Sequence, residues 1–325
     1  MKAATYQKYG TPSEVIQYTE VEKPIPKDDE VLVRIHASSI NYGDNALLSG
    51  KPFLIRLMGY GVFKPKYSIT GGDIAGRVES VGKDVKQFKP GDDVFADIWD
   101  DRPGAYAEYV AVPEKMLVPK PVNLTYEEAA TFPQASVVAL QGLRNKGQIQ
   151  AEHKVLINGA SGGVGTFAVQ IAKTFGAEVT GVCSTSNMDL VSSLGADHVI
   201  DYTKEDFTMN GQQYDIIFDV VPSHSFSDYM RALSPEGTLI SVALNVGLLL
   251  SSKVSKAGSK KVVQLNHEMN AEDLVFMKEL IEAGKIKPVI DRAFPLSEVS
   301  EAFRYYSDGR SKGKVVLTMS PAEER

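Results

Sequence analysis

Before about Lys120 the apolar and polar positions alternate in short runs, the period of half-buried strands. Val31-Leu32-Val33-Arg34-Ile35-His36-Ala37 alternates after a lead that carries Pro24 and Pro26. Gly76 to Gly82 repeats the pattern between two glycines. Lys89-Pro90-Gly91-Asp92-Asp93 then reads as a turn and Val94-Phe95-Ala96 as the next strand. Tyr106 to Val112 alternates again and stops at Pro113. Short strands at this spacing predict a small barrel-like β domain. The Gly50–Ser68 stretch, rich in glycine, proline and aromatic residues, predicts a mobile loop or lid.

Near Pro121 the period changes. Thr125 is an N-cap with Glu128 in the capping-box position, so a helix begins there. From Lys154 strand and helix take turns: Val155-Leu156-Ile157, a helix over Phe167 to Phe175, Val179 to Cys183, a helix around Leu190 to Leu194, and His198-Val199-Ile200. Ile216 to Val221, a helix over Ser227 to Leu233 and Thr238 to Val242 continue the series. Such alternation predicts an α/β fold with a doubly wound parallel sheet. A helix from Asp273 to Ala283 and a last strand, Lys314 to Thr318, are expected to return to the first domain. The domain expectation is therefore 1–122 with 269–325 for the β-rich catalytic domain, and 123–268 for the dinucleotide-binding domain.

The length of 325 residues suits two domains. With 35 basic and 41 acidic residues the net charge is −6, and no Lys/Arg-dense tract is present, which argues against a nucleic-acid binder. The lysines from Lys253 to Lys261 read as a solvated loop. A single cysteine, Cys183, excludes an intrachain disulfide and a multi-thiolate zinc site. No signal-peptide pattern opens the chain and no run approaches the length of a membrane span, so a cytoplasmic protein with no membrane partner is expected.

The most informative segment is Val155 to Gly165, in which Ala160, Gly162 and Gly165 fill an A-x-G-x-x-G fingerprint between a strand and a helix. A strand must turn sharply there, bare backbone must approach a pyrophosphate, and the helix must pack closely on the sheet. The helix N-terminus then offers N–H groups and a partial positive charge to phosphate. A rival reading takes Gly159-Ala160-Ser161-Gly162-Gly163 as a hydrolase nucleophile elbow, with His198, His224 or His267 and Asp201 or Asp219 completing a triad. Gly165 and the preceding β domain weigh against it. After the second strand the chain reads Cys183-Ser184-Thr185-Ser186-Asn187-Met188, with no carboxylate to repel a 2′-phosphate. The hydroxyls of Ser184 and Thr185 suit such a phosphate, so NADPH is favoured, with NADH possible.

From Met1 to about Met319 the sequence resembles the medium-chain dehydrogenase/reductase superfamily, most closely its zinc-independent quinone oxidoreductase branch of zeta-crystallins and enone reductases. The resemblance rests on Gly71 to Val78, Val85 to Val94, Gly104 to Tyr109, Asn158 to Gly165, Ser193 to Asp197, Val199 to Tyr202 and Gly313 to Leu317. It implies a GroES-like catalytic domain beside a Rossmann domain. Zinc relatives have cysteine within the segment Ile40 to Asp44, and Gly-His-Glu at Gly71-Gly72-Asp73; Gly72 thus replaces the histidine ligand, and no metal is expected.

The resemblance also implies roles. Ser161, Gly162, Gly163 and Val164 hold the pyrophosphate, and Tyr202 lies near the 2′-phosphate. The basic residue of NADPH-binding relatives is missing at Ser186 and Met188. Ala243 and Leu244 line the nicotinamide, Asn41 faces it, and Lys314 either closes the site or serves structure. The implied reaction is hydride transfer to a quinone or enone, with hydrogen bonds to the developing oxyanion and water able to supply the final proton. Asn41, Tyr42 and Tyr67 are the candidate donors, and Asp44 is either functional or a helix cap. Phe53, Leu57, Tyr60 and Phe63 would shape the substrate loop. A homodimer is expected, through pairing of the Val262–Leu265 edge. The alternative outside catalysis is a crystallin-like or sensor protein that only binds NADPH.

Overall fold

The computed structural model describes residues 1–99, 101–242 and 259–319. Two compact units share the chain: Met1–Gln134, Met269–Glu282 and the chain from Pro288 form the first, Ala135–Glu268 and Ala283–Lys287 the second. The first boundary falls after Gln134 rather than Val122. Asn123 Nδ2 donates to the Ile281 carbonyl at 3.1 Å, Tyr126 donates to Asp93, and the Gln134 N–H donates to Asp73 Oδ1 at 2.8 Å. Those bonds tie residues 123–134 to the β-rich unit.

In the first unit β1 (Lys2–Thr5) and β2 (Gln17–Glu20) form an antiparallel ribbon. The main sheet begins with β3 (Glu30–Ser39), followed by β4 (Asp73–Val81), β5 (Asp93–Asp97), β6 (Tyr109–Pro113) and β7 (Val118–Pro119). β3 is the hub, pairing antiparallel with both β4 and β6. Its alternation puts Val31, Val33, Ile35 and Ala37 in the core. A short helix, Tyr42–Ser49, leaves the end of β3, capped by Asn41 and closed by Gly50 in the left-handed region at φ 62°. The strand read at Tyr106 starts at Tyr109, because the N–H groups of Ala105 and Tyr106 bond instead to Gly71 and Thr70.

The second unit holds β8 (Lys154–Asn158), β9 (Glu178–Cys183), β10 (His198–Asp201), β11 (Tyr214–Asp219), β12 (Leu233–Ser241) and β13 (Lys261–Gln264). All its pairings are parallel, in the order β10-β9-β8-β11-β12-β13. Counted within the unit, that is the 3-2-1-4-5-6 order of a dinucleotide-binding sheet. Val155, Leu156 and Ile157 are wholly buried, as a central parallel strand covered on both faces requires. The strand order reverses between β8 and β11, and this switch point is where such sheets take their ligand.

The chain then returns. β14 (Ile290–Pro295) pairs parallel with β15 (Lys314–Thr318), and β15 lies antiparallel to β3 with Val316 opposite Ser39. The Ile40 N–H donates to the Val315 carbonyl at 2.9 Å, which sets Lys314 beside the start of the Tyr42–Ser49 helix.

Candidate functional site

The glycine segment turns at the switch point of the second unit. Gly159 follows β8 at φ 88°, a conformation a side chain would strain. Asn158 pins the strand ends together: its Nδ2 donates to Asp219 Oδ1 and to the Val221 carbonyl, each at 2.8 Å, while Tyr229 donates to the other Asp219 oxygen at 2.8 Å. Helix Gly163–Thr174 starts at Gly162 with no side-chain cap. Its first N–H groups therefore have no partner from the helix or from a cap, and Gly162, Gly163 and Val164 are half-exposed. A Cβ on Gly162 would meet nothing closer than 3.5 Å, whereas one on Gly165 would lie 2.0 Å from the Gly159 carbonyl oxygen. One glycine keeps a cradle open and the other lets the helix pack on the turn. The cradle fits the pyrophosphate of a dinucleotide. Ala160 is buried beneath it.

Ser161 does not behave as a nucleophile. Its Oγ receives a hydrogen bond from Asn187 Nδ2 at 3.0 Å, and an amide cannot take its proton. His198 pairs with Glu178, and His224 with Asp206, both at 3.2 Å. Asp219 is occupied by Tyr229 and Asn158, and Asp201 by threonines, so neither His198 nor His224 builds the triad of the hydrolase reading with them.

At the far end of β9, Ser184 Oγ lies 3.4 Å from Ser186 Oγ, and Thr185 donates to Asp201 Oδ2. The Tyr202 N–H donates to the Cys183 carbonyl at 3.1 Å, so the exposed Tyr202 ring belongs to the same corner. A carboxylate and a cation unforeseen in the sequence complete it. Hydrogen bonds from Thr185 and Thr203 hold the Asp201 carboxyl far below the usual range, and Lys204 Nζ stands 3.2 Å from the same Oδ2 that Thr185 binds. Lys204 thus places a cation at the corner where Ser186 and Met188 supply none. It was hidden because it follows β10 and not β9.

In the first unit Asn41, Asp44 and Lys314 come together, and Tyr42 does not join them. Asn41 accepts from Lys314 Nζ at Oδ1 and donates from Nδ2 to Asp73 Oδ2 at 2.8 Å. The bond to Asp73 uses one of its two amide hydrogens. Asp73, fully buried, also receives Ser39 Oγ at 2.7 Å and lies 3.3 Å from Lys314 Nζ. Gln134 Nε2 reaches on to Asp97 Oδ2 at 3.3 Å. Asp44 Oδ2 accepts the Asn41 N–H at 2.8 Å and the Tyr106 hydroxyl at 2.7 Å, with Thr70 Oγ1 3.3 Å from Oδ1. The helix-cap reading of Asp44 is thus the one its contacts describe. Tyr42 is 64% exposed, and Tyr67 packs its ring against Tyr60. Within the Gly50–Ser68 stretch Tyr60 turns inward onto Trp99, whereas Phe53, Leu57 and Phe63 face solvent. Ala243 and Leu244 lie outside the described residues.

Burial pushes the Asp44 carboxyl up to about 7, against the hydrogen bonds from Tyr106 and the Asn41 N–H. The unfolded group titrates at an ordinary 3.8, so between the two values the native state holds a proton that the unfolded state releases. Stability contributed by the protonated form is therefore full below about pH 4 and lost as the pH rises through 7, by at most about 4 kcal/mol. In Asp44→Asn the oxygen still accepts from Tyr106 and the amide donates to Thr70, so its melting temperature should vary less between pH 5 and pH 8. Parallel melting profiles for the two proteins would refute the assignment.

Comparison with known proteins gives the same picture. Residues 27–122 match the alcohol dehydrogenase GroES-like domain and residues 194–317 the zinc-binding dehydrogenase family. Quinone-oxidoreductase QR1 of Triphysaria versicolor is 36% identical over 98% of both chains. The 2-methylene-furan-3-one reductase of Solanum lycopersicum is 37% identical over 99% of this chain and 80% of its own. A solved quinone oxidoreductase from Coxiella burnetii superposes with a TM-score of 0.89 at 29% identity, covering 98% of this chain and 99% of that one. The chain belongs to the medium-chain dehydrogenase/reductase superfamily. Its branch is the zinc-independent quinone and enone oxidoreductases. At Gly72, where zinc relatives carry histidine, a Cβ would lie 2.8 Å from Asp97 Oδ1 and 3.3 Å from Trp99 Cβ, so a larger side chain would have to displace one of them. Among the described residues no group of three His, Cys, Asp or Glu is placed to hold a metal.

Proposed function

We propose that this oxidoreductase transfers a hydride from NADPH to the electron-poor double bond of a quinone or an α,β-unsaturated carbonyl compound. The observation that carries the reading is the uncapped glycine turn at the switch point of a 3-2-1-4-5-6 sheet. The relatives named as a quinone oxidoreductase and a furanone reductase support the acceptor class. Gly163 and Val164 hold the pyrophosphate through backbone N–H groups, and Gly162 leaves room for it. Bound there, NADPH supplies the hydride from its dihydronicotinamide ring. Asn41 offers its remaining Nδ2 hydrogen to the oxyanion that forms on the acceptor, and Lys314 and Asp73 fix the direction of that amide. The product enolate or hydroquinone anion takes its proton from water or from the exposed Tyr42 hydroxyl.

Oxidation of NADPH by a soluble benzoquinone and by a panel of enones tests the reaction. Tight NADPH binding without turnover on any acceptor would favour the purely binding, crystallin-like alternative. NADPH preference rests on the Ser184, Thr185 and Lys204 corner, where Lys204 offsets the Asp201 charge. In Lys204→Glu the NADPH dissociation constant should rise about 10- to 100-fold, the worth of a charge-assisted bond, and the NADH constant should move about threefold or less. Equal weakening of both nucleotides would remove Lys204 from the 2′-phosphate site.

We also infer a homodimer formed through β13, which ends the six-stranded sheet among the described residues. Sedimentation should then give twice the 35.4 kDa chain mass, and a monomer at all concentrations would dismiss it.

A further inference from the structure

Between Asn45 and Gly72 the chain carries Lys51, Arg56, Lys64 and Lys66 and no acidic residue, within a protein of net charge −6. The same stretch holds Phe53, Leu54, Leu57, Met58, Val62 and Phe63, six of the fourteen exposed large apolar side chains among the described residues. Phe63 is 97% exposed and Met58 67%. Apolar side chains left singly in water need no explanation, but a run of six does.

The backbone beneath them is pinned. Arg56 Nε donates to the Gly50 carbonyl at 3.0 Å, and its guanidinium lies 4.2 Å from the Tyr9 ring centre. Tyr9 in turn donates to the Tyr60 carbonyl at 3.0 Å, the same oxygen that receives the Lys66 N–H at 2.8 Å. The Tyr60 ring packs on Trp99 at 6.0 Å. Tyr60 and Arg56 thus face inward and fix the loop, which presents Phe53, Leu57, Met58 and Phe63 outward together with Lys51, Lys64 and Lys66. Among the described residues no carboxylate pairs with these lysines.

We propose that the Lys51–Lys66 loop docks the protein on the surface of an anionic lipid bilayer. Phenylalanine, leucine and methionine side chains enter the boundary between headgroups and acyl chains, and the lysines meet the anionic headgroups. Charge selects this occupant. A second copy docking through the same face would set three outward lysines against three, whereas a bilayer rich in anionic lipid complements them. Among the described residues no helix is long and apolar enough to cross a membrane, so the contact is superficial. The expectation of no membrane partner came from the lack of a spanning run, which says nothing about a basic apolar loop. The inference stands on the loop alone and is independent of the hydride-transfer reading.

Sedimentation of the full chain with vesicles tests it. Vesicles of phosphatidylcholine containing about one third phosphatidylglycerol should bind the protein at least about tenfold better than phosphatidylcholine alone, and about 0.5 M salt should abolish the difference. Each cation at an anionic surface is worth about fivefold in partition, so Lys64→Glu with Lys66→Glu should lower binding about 25-fold or more. Met58→Asp should also lower it, and both variants should keep the melting temperature of the parent. Absence of binding, equal binding to both vesicle types, or binding untouched by these substitutions would overturn the proposal. Self-association without lipid that Met58→Asp abolishes would overturn it in favour of a second copy.

Discussion

Alanine at position 165 should lower the melting temperature by about 6–12 °C and raise the dinucleotide dissociation constant at least about tenfold. The added Cβ would lie 2.0 Å from the Gly159 carbonyl oxygen and 2.8 Å from Ala160 Cα. Both are backbone atoms, so no rotamer change relieves the contact, and the first turn of the Gly163–Thr174 helix must lift off the sheet. Overpacking of this kind costs about 3 kcal/mol, and the displaced helix carries its N–H groups away from the phosphates. Gly162→Ala provides the contrast. There φ is −83° and the nearest atom would be 3.5 Å away, so the change in stability should stay within about 0.5 kcal/mol. Its methyl group nevertheless enters the cradle, and NADPH affinity should fall. An unaltered melting temperature in Gly165→Ala would refute the packing argument. Unaltered NADPH affinity in Gly162→Ala would refute the cradle.

The contrast between these glycines shows what the sequence discloses. Gly162 and Gly165 stand in a fingerprint because strand, turn and helix are consecutive, so one local pattern encodes the whole subsite. The same holds for Thr125 and Glu128, which form the capping box their spacing predicts, and for the last strand at Lys314–Thr318. Less of the return segment was legible. β14 reads Ile-Asp-Arg-Ala-Phe-Pro and buries only Phe294, because it is held by pairing with β15 and lacks an apolar face of its own. Helix Val299–Ser307 did carry a signal, with Val299, Ala302 and Phe303 buried at helical spacing, but it is short and follows a proline-bounded strand.

The polar cluster of the first unit was the least legible part. Asn41 and Asp44 are separated by a capping spacing, but Asp73, Tyr106 and Lys314 reach them from three other places in the chain, and Gln134 joins through Asp73. No local pattern relates a lysine on the last strand to a carboxylate on the fourth. The sheet does so, by placing β15 and β4 on either side of β3. Lys204 was missed for the same reason: parallel pairing of β9 with β10 brings the residues after Asp201 beside Thr185.

Removal of either partner of the Asp73–Lys314 pair should destabilise the first unit by about 3–5 kcal/mol, and removal of both should cost far less than the sum. Asp73 is fully buried and Lys314 is 3% exposed, 3.3 Å apart. Burial raises the Asp73 carboxyl above its ordinary range, and the Lys314 charge opposes that rise. Lys314→Met therefore leaves a desolvated carboxylate facing Asp97 with no countercharge, while Asp73→Asn strands an ammonium in the same place. Asparagine keeps an oxygen for the Gln134 N–H, which donates to Asp73 Oδ1 at 2.8 Å, but its NH2 then faces Asn41 Nδ2 and Ser39 Oγ, both donors to Asp73 Oδ2, so about 1–2 kcal/mol of loss persists in the double variant. The double-mutant cycle should still return a coupling of about 4 kcal/mol or more. Kinetics separate the pair's second role from its first. If Lys314 fixes the Asn41 amide for the acceptor's oxyanion, the doubly substituted protein regains its fold, binds NADPH as the parent does, and yet shows a lower kcat on a quinone. Additive stabilities would show that the ion pair contributes nothing by being paired, and full recovery of kcat would free Asn41 from any dependence on it.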